Sequence, residues 1–394
     1  MKDAQPIRIF VDAHVFDGEY QGTRTFIKEL YTALSKKNNV TIYLAACDID
    51  NLKKIFPAST NIHFIQYNVK TSWPRLLINI PSLLRKHDLD FAHFQYMIPP
   101  VKNNKCKYVV TIHDVIFEEF PNEFTRYYRF SKGLLYQLAA SNADIVTTVS
   151  EYSKNSIEKF LGVKPGKTTV IPNAVSSIFF QPYDKELSLQ ILKKKYGIEK
   201  FILYVSRFEP RKNHAALLKA YLDLELYSKG YHLVLLGHQR IEVYEFDKLL
   251  EALPADIRQF IFISHEIDDD ELLEFYQAAS LFVYPSKAEG FGICPLEAGA
   301  LKTPVICSNA SAMKEFTFFG DLHIDTNDHA LLKKKITTVL FNPLNELKLQ
   351  TISDTIRENY SWETSAEKFY DLLLQQRTIS SGNKIKINDQ LSVS

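Results

Sequence analysis

Short apolar runs alternate with longer amphipathic stretches along most of this chain, and this alternation restricts the possible folds more than any other feature. The runs are rich in Val, Ile and aromatic residues, and helix-like stretches such as Phe26–Ser35, Arg75–Lys86 and Tyr127–Ala140 lie between many of them. Strands that alternate with helices form parallel sheets with covered faces. The first-half strands are predicted at Ile7–Val11, Val40–Ala45, Ile62–Gln66, Phe91–Gln95, Tyr108–Ile112 and Ile145–Val149.

The same alternation starts again in the second half of the chain. Between the halves, Pro172, Asn173, Pro182 and Asp184 interrupt regular structure. We therefore predict two α/β domains with a boundary between Pro172 and Lys195. The second-half strands are predicted at Phe201–Val205, His232–Leu236, Ile261–Ile263, Leu281–Tyr284 and Pro304–Cys307, and the helices at His214–Leu226, Asp269–Ala279, Pro295–Leu301, Leu331–Leu340 and Trp362–Gln375.

The charge balance and the cysteines narrow the class of protein. Lys and Arg number 47 and Asp and Glu 46, so the formal net charge of +1 predicts no nucleic-acid partner. The four cysteines form no CxxC pair, which excludes a disulfide framework and a zinc site and fits a reducing compartment. The N-terminus lacks the apolar core of a signal peptide, and no apolar run reaches the roughly 18 residues of a membrane span. We therefore predict a cytoplasmic protein.

A loop with two carboxylates follows the predicted strand Leu281–Tyr284. Pro295 is expected at the first helical position, which leaves unpaired backbone N–H groups in the loop and the first turn. Glu289 in the loop and Glu297 in the first turn can accept hydrogen bonds from sugar or ribose hydroxyls. A tight strand–loop–helix turn, in which Glu297 only complements the helix dipole, explains the same spacing.

A basic loop follows the predicted strand Phe201–Val205, with the sequence SRFEPRKN. Arg207 offers a planar fork and Lys212 a point charge near the start of a helix, an arrangement suited to a diphosphate. Arg211 is expected to face solvent. A solvated basic turn is the alternative interpretation.

Two further loops follow first-half strands. The strand Tyr108–Ile112 leads into His113 and Asp114. The histidine can contact a reacting sugar or an acceptor hydroxyl, and the aspartate can orient it or make a separate hydrogen bond. A capped turn is the simpler interpretation of this pair. Gly22 would allow a ligand to approach the first loop, but that loop is not GxGxxG, which argues against a dinucleotide-dependent dehydrogenase.

The stretch Trp73–Lys86 is aromatic and basic. A helix that covers the sheet explains this pattern and is favoured, and a helix that lies on a membrane surface is the alternative, because both need one apolar face.

Taken together, these segments resemble glycosyltransferase family 4, whose members are retaining enzymes with the GT-B fold. The family signature is a Glu, seven residues and a second Glu in an EGFG-type loop, which here is Glu289 to Glu297. Other family segments occur in the same order over roughly residues 7–375, with Ala174 in place of a common Gly as one departure. They are TIHDVIFEEFP, VSEYSKNSIEKFLGV, VIPNAV, YVSRFEPRKN and SWETSAEKF.

The resemblance implies a role for each candidate residue. Arg207 and Lys212 would hold the diphosphate of a nucleotide-sugar donor, Glu289 would contact the donor sugar, and Glu297 would bind the ribose. His113 would lie beside the reacting carbon. The remaining donor-binding positions would be Gly22 and the backbone amides of Phe291, Gly292 and Ile293, and no metal or other cofactor is expected.

The resemblance also implies a domain arrangement. Two Rossmann-like α/β domains would face each other across a cleft, with residues 1–178 on the acceptor side and residues 179–360 binding the donor. A final helix, 361–376, would complete the first domain. The polar composition of residues 378–394 predicts a disordered tail.

The function that follows is transfer of a hexose from a nucleotide-sugar donor to a glycan or lipid-linked glycan acceptor in surface polysaccharide synthesis. Mannose from GDP-mannose is the first expectation and a UDP-sugar the second. A GT-B-like phosphorylase or epimerase and a non-catalytic scaffold are alternatives, and the presence of Arg207, Lys212, Glu289 and Glu297 argues against the scaffold. Peripheral contact with the cytoplasmic membrane face is also expected.

Overall fold

The computed structural model of this chain describes residues 5–18, 22–56, 58–239 and 241–391. The chain divides into two compact units. The first unit comprises Met1–Asn173 and Trp362–Ser394, and the second comprises Ala174–Ser361. These divisions lie five residues and one residue from the limits that the sequence predicts, at 178/179 and 360/361.

A parallel sheet forms the centre of the first unit. Its described strands are β1 (Ile7–Asp12), β2 (Val40–Ala46), β3 (Ile62–Gln66), β4 (Phe91–Gln95), β5 (Lys107–Thr111), β6 (Ile145–Thr148) and β7 (Thr168–Val170). They lie in the order β3-β2-β1-β4-β5-β6-β7, so the order along the chain reverses between β1 and β4. Ligands of such sheets bind at the carboxyl ends of the strands near this reversal.

Helices cover both faces of this sheet. On one face, Phe10, Phe94, Tyr108 and Val110 belong to a core cluster that also contains residues of the helices at Ile80–Lys86, Arg126–Asn142 and Glu151–Leu161. On the other face, the helices Gly22–Leu34 and Trp362–Leu391 pack against each other and around His93. The helices of this unit are α1 (Gly22–Leu34), α2 (Ile49–Ile55), α3 (Ser72–Pro74), α4 (Ile80–Lys86), α5 (Ile116–Glu119), α6 (Arg126–Asn142), α7 (Glu151–Leu161) and, after the second unit, α16 (Trp362–Leu391).

The second unit repeats the design with a second parallel sheet. Its described strands are β8 (Phe201–Val205), β9 (His232–Leu236), β10 (Ile261–Ser264), β11 (Leu281–Tyr284), β12 (Val305–Ser308) and β13 (His323–Ile324), in the order β10-β9-β8-β11-β12-β13. Its helices are α8 (Lys185–Tyr196), α9 (His214–Asp223), α10 (Tyr244–Glu251), α11 (Ala255–Arg258), α12 (Asp269–Ala278), α13 (Ile293–Ala300), α14 (His329–Phe341) and α15 (Glu346–Asn359).

A helix occupies much of the stretch between the halves in which the sequence predicts interrupted structure. The side chain of Asp184 accepts hydrogen bonds from the backbone N–H groups of Glu186 and Leu187, and Gly197 ends α8 in the left-handed conformation. Asp184 is therefore a helix N-cap and Gly197 a C-cap. The observed division at 173/174 lies within the predicted boundary region, but the helix itself was not predicted, because a capping Asp and a turn-forming Asp look alike in sequence.

The final helix extends beyond the end that the sequence predicts. It begins at Trp362 and continues to Leu391, through much of the stretch 378–394 for which composition predicts disorder. Residues 392–394 lie outside the described residues. None of the described helices combines the length and apolar character needed to cross a bilayer.

Candidate active site

Two loops of the second unit meet at the carboxyl edge of its sheet. Strands β8 and β11 are hydrogen-bonded neighbours, with Leu281 paired to Ile202 and Phe282 paired to Leu203. The basic loop after β8 and the acidic loop after β11 therefore leave the sheet side by side. Adjacent strands bring together residues that are far apart along the chain.

Glu289 is the centre of the polar network between these loops. Its Oε1 accepts hydrogen bonds from Nζ of Lys212 at 2.5 Å, from Oγ of Ser286 at 2.6 Å and from the hydroxyl of Tyr284 at 2.9 Å. Glu289 and Lys212 are each 7% exposed. Because a buried charge is tolerated only with a partner, this pair holds the two loops together.

Arg211 also belongs to this network. Its guanidinium donates to the carbonyl oxygen of Ala288 at 2.6 Å and to Oε2 of Glu289 at 3.3 Å, and it pairs with Glu209 at 2.6 Å. The prediction that Arg211 faces solvent was wrong. The sequence does not reveal that the loop after β11 passes over this side chain.

The network determines the charge of Glu289. Burial raises the pKa of its carboxyl, but the positive charges of Lys212 and Arg211 outweigh this effect and lower the pKa to about 2. Glu289 is therefore ionised at neutral pH, and both carboxylate oxygens accept hydrogen bonds within the protein.

Arg207 differs from the two cations that pair with Glu289. Its side chain is half-buried, and its guanidinium has no hydrogen-bond or ion-pair partner among the described residues. Close packing positions its backbone, since a Cβ on Gly237 would lie 2.0 Å from the carbonyl oxygen of Ser206. Arg207 is thus a cation at the sheet edge that remains available to an anionic ligand.

Helix α13 begins earlier than the sequence predicts. Gly292, at φ 89°, precedes the first helical residue, Ile293, so Pro295 is the third helical residue and not the first. Glycine tolerates this left-handed conformation, which turns the chain sharply from the loop into the helix. The backbone N–H groups at the start of a helix have no intrahelical partners and can bind an anion or a hydroxyl group.

Glu297 lies one turn further along α13 than the first turn in which it was predicted. Its Oε2 accepts a hydrogen bond of 2.8 Å from the hydroxyl of Tyr276. Burial raises the pKa of Glu297 to about 7, although the bond from Tyr276 opposes this shift. Burial also raises the pKa of the nearby Cys294 thiol to about 12, so this cysteine is not a nucleophile at neutral pH.

In the first unit, His113 follows β5 and lies in a buried polar network. Its Nε2 lies 2.8 Å from Oε1 of Gln95, and because that oxygen only accepts, Nε2 carries the ring proton. The amide nitrogen of Gln95 lies 3.2 Å from Nε2 of His93, which in turn contacts Thr111 at 2.7 Å. Nδ1 of His93 lies 2.6 Å from the hydroxyl of Tyr31.

Sequence reasoning missed Gln95. The sequence left two roles open for Asp114, orienting His113 or making a separate hydrogen bond. The structure shows Gln95 bonded to the ring of His113, and Asp114 accepts a separate hydrogen bond from the backbone N–H of Ile116 at 3.3 Å. A signal was present, because His93 and Gln95 alternate with apolar residues in β4. Polar residues at every second position of a buried strand share one face of the sheet.

Gly22 is the first residue of α1, and the loop residues 19–21 before it lie outside the described residues. Apart from its own helix and chain neighbours, no heavy atom of the described residues lies within 4 Å of the position that a Cβ on Gly22 would occupy. Close packing within the described part of the chain therefore does not require glycine here.

Models of two glycosyltransferase families match consecutive parts of the chain. The model described as Glycosyltransferase Family 4 matches residues 20–177, and the one described as Glycosyl transferases group 1 matches residues 190–359. The two matches fall almost entirely within the first and second units and together cover most of the chain.

The two units of the chain therefore belong to these two glycosyltransferase families.

This chain is similar to curated relatives in sequence and to solved structures in fold. It is 32% identical over 226 residues to O-antigen chain mannosyltransferase B of Escherichia coli, which is 56% of this chain and 58% of the relative. It is 28% identical to O-antigen chain mannosyltransferase RfbU of Salmonella typhimurium over 62% of this chain and 63% of the relative. The aligned regions thus span less than two thirds of either relative.

Its fold matches the sucrose-phosphate synthase of Thermosynechococcus elongatus with a TM-score of 0.75, at 19% identity, over 95% of this chain and 100% of that one. At this level of identity the match supports the fold alone.

The structure of the glycosyltransferase places its candidate residues in two groups. Lys212, Glu289 and Arg207 lie on neighbouring loops of the second unit, while His113 lies with Gln95 in the first. Within the described ranges, no three His, Cys, Asp or Glu side chains are grouped so that they could hold a metal ion.

Acid is expected to destabilise the first unit of the glycosyltransferase below pH 6.5. Burial lowers the pKa of His93 and of His113 from 6.5 to about 3, so the unfolded chain binds protons that the folded chain does not. The contribution of these two neutral histidines to the free energy of unfolding is therefore fully present above their unfolded pKa of 6.5, and it is lost as the pH falls toward their folded pKa of about 3. As the pH falls from 7 to 5, each histidine should lower the free energy of unfolding by about 2 kcal/mol.

Tryptophan fluorescence in urea titrations measures this effect, because Trp73 and Trp362 are the two tryptophans of the chain and both lie in the first unit. A His93→Phe variant should lose about half of the pH dependence. The exposed His63→Gln should retain all of it. Equal stability of the unmodified chain at pH 7 and pH 5 would contradict the prediction.

Proposed function

We propose that the chain is a retaining glycosyltransferase that moves a hexose from a nucleoside diphosphate sugar to a hydroxyl group of a glycan or lipid-linked glycan in surface polysaccharide synthesis. The observation that supports it best is the arrangement at the edge of the second sheet. Arg207 has an unpaired guanidinium among the described residues, on the same loop as Lys212, which Glu289 holds in place.

The two cations are assigned to the donor diphosphate. As the bond between the sugar carbon and the diphosphate oxygen breaks, negative charge develops on that oxygen, and Arg207 and Lys212 stabilise it. The amides at the start of α13 bind the sugar and phosphate oxygens, and Glu297 binds the ribose. Glu289 contacts donor hydroxyls and keeps Lys212 charged and oriented, since its oxygens already accept hydrogen bonds from Lys212, Ser286 and Tyr284.

The acceptor proton needs a destination, and no strong protein base is proposed. The acceptor oxygen bonds to the sugar carbon on the face that the diphosphate leaves, and its proton passes to the departing phosphate oxygen. His113 is assigned to the sugar as a hydrogen-bonding group. Its pKa of about 3 makes it a weak base, which supports this assignment.

Mannose is the proposed sugar and GDP-mannose the proposed donor, with a UDP-hexose as the second choice. The names of two relatives support mannose, since both are O-antigen chain mannosyltransferases. We also propose that transfer needs no metal ion, because two cations and a helix start supply the positive charge. The proposed location is the cytoplasm, with peripheral contact to the membrane.

A thermal-shift panel tests the donor assignment. GDP, UDP and dTDP are each added to the full chain, with and without excess EDTA. A ligand at about 100 times its Kd stabilises the folded state by about 2.7 kcal/mol. We expect GDP to give the largest shift and EDTA to leave it unchanged. A larger shift with UDP would favour a UDP-sugar over GDP-mannose as the donor. A shift that requires magnesium would contradict metal-free binding.

A further inference from the structure

His214 is a buried histidine of the second unit to which the proposed function assigns no role. It is the first residue of α9 and is 1% exposed. It follows Asn213, whose φ of 62° turns the chain sharply from the basic loop into the helix. After this turn, the imidazole lies against Ser206 and Phe208, the residues on either side of Arg207.

A chain of hydrogen bonds runs from His214 to the backbone of Arg207. Nε2 of His214 lies 3.2 Å from Oγ of Ser206, and this hydroxyl donates to the carbonyl oxygen of Arg207 at 3.2 Å. Because the hydroxyl has one proton and donates it to that carbonyl, its oxygen accepts from the imidazole, and Nε2 carries the ring proton. His214 therefore helps to fix the peptide group that follows Arg207.

A ring stack holds the residue after Arg207. The centroids of the His214 and Phe208 rings are 4.3 Å apart, and the ring planes differ by 13°. The backbone N–H of Phe208 donates to the carbonyl oxygen of His238 at 3.0 Å. Ser206 and Phe208 are buried and Arg207 between them is half-buried, so the two contacts of His214 direct the arginine side chain away from the core.

Packing alone does not explain a histidine at this position. Nδ1 of His214 is buried and has no hydrogen-bond partner among the described residues, and such an atom is unfavourable in a protein interior. A phenylalanine could stack on Phe208 without this unpaired atom, but it could not donate to Ser206. The cost is therefore consistent with a need for the Nε2–H group.

The imidazole is also electrically neutral at pH 7. Burial, followed by the positive charge of Lys212, lowers the pKa of His214 to about 3. A neutral ring can hold the loop without repelling the two cations that are assigned to the diphosphate.

We propose that His214 is a positioning residue for Arg207, which acts on the donor diphosphate through that arginine and contacts no substrate itself. The inference rests on the proposed function, since it takes Arg207 to bind the diphosphate. A guanidinium on a fixed backbone loses less freedom when it meets the negative charge that develops on the departing oxygen. Without the bond from Nε2, the loop is less constrained and the guanidinium is misplaced in part of the molecules.

A double-mutant cycle on the full chain tests the proposal. The four chains are the unmodified one, His214→Phe, Arg207→Gln and the double variant, and the readout is kcat for release of GDP from GDP-mannose. His214→Phe keeps the ring stack and loses the Nε2–H group, so kcat should fall about tenfold, the effect of one hydrogen bond. In the Arg207→Gln background the same change should alter kcat by less than about twofold, because two residues that act through one group are not additive.

A conservative variant and a matched control accompany the cycle. In His214→Gln the amide N–H can replace Nε2–H toward Ser206, so kcat should stay within about threefold of that of the unmodified chain. The control is His232→Phe at the start of β9, because Nδ1 of His232 is also buried without a described partner and its ring lies 5.1 Å from that of Phe260. His232 lies at the opposite edge of the sheet from Arg207, and its replacement should leave kcat unchanged.

Circular dichroism and the thermal midpoint show whether each variant is folded. If His214→Phe does not fold, His214→Leu takes its place in the cycle, with the same lack of additivity expected. If the unmodified chain turns over UDP-glucose and not GDP-mannose, the cycle is run with UDP-glucose.

Two outcomes would overturn the proposal and leave the proposed function in place. One is an unchanged kcat in His214→Phe. The other is an equal loss of kcat from His214→Phe with and without the Arg207 side chain, which would make the histidine a structural residue of the loop. In contrast, GDP release by Arg207→Gln at the rate of the unmodified chain would reject the diphosphate assignment itself, and the role of His214 with it.

Discussion

Lys212→Met is expected to lower the free energy of unfolding of the second unit by about 3 kcal/mol, the lower end of the range for a broken buried ion pair, because Arg211 at 3.3 Å remains as a counter-charge. Glu289 is the partner left behind, and its pKa of about 2 shows how strongly the neighbouring cations stabilise its ionised form. The same substitution removes a charge from the proposed diphosphate site, so transfer should also slow by about 10²–10³-fold.

Hydrogen exchange of the amides in β8 and β11 measures this change, because it reports the stability of the second unit by itself. The control is Lys212→Met/Glu289→Leu, in which both charges are absent. It should recover much of the stability, as apolar replacements of buried pairs often do, and remain inactive. Unchanged exchange in the single variant would show that the Lys212–Glu289 pair does not hold the two loops together.

Arg207→Gln is expected to reduce transfer by about 10²–10³-fold while leaving the stability within about 0.5 kcal/mol. The reason is the contrast with Lys212. Within the described structure the guanidinium of Arg207 has no partner, so its loss removes no native ion pair. The effect should appear in kcat more than in KM, because charge on the diphosphate grows as the sugar leaves.

Initial rates over a range of donor concentrations separate these two constants. Arg357→Gln is the matched control, since it removes a guanidinium from the surface of α15, where it contacts only the ring and carbonyl oxygen of Phe180 among the described residues. It should leave the rate unchanged. If Arg207→Gln turned over as fast as this control, the diphosphate assignment would be wrong.

Much of the fold could be predicted from the sequence. The limits of β1–β6 and β8–β12 lie within one residue of the predicted ones, because strands buried on both faces read as continuous apolar runs. The strands β7 and β13 were missed. β7 has only three residues, two of them Thr, and β13 has only two, so neither forms a recognisable apolar run.

The candidate site was predictable as a set of residue types and not as a set of contacts. Glu289, Lys212 and Arg207 were singled out by their motifs, whereas Arg211 was assigned to solvent and Gln95 was overlooked. The bonds that define both roles join distant parts of the chain, since Arg211 lies 78 residues from Glu289 and Gln95 lies 18 residues from His113.

The residue pattern by itself therefore determined two parallel α/β units and the charged residues at their strand ends, because burial and hydrogen bonding impose a period that can be read locally. Only the tertiary structure decided which charged side chains form ion pairs inside the protein. Pairing β8 with β11 brings Lys212 against Glu289 across 77 residues of sequence and leaves Arg207 without such a partner in the described chain. Local sequence does not encode that difference, since it depends on which strands are neighbours and how deeply each side chain is buried.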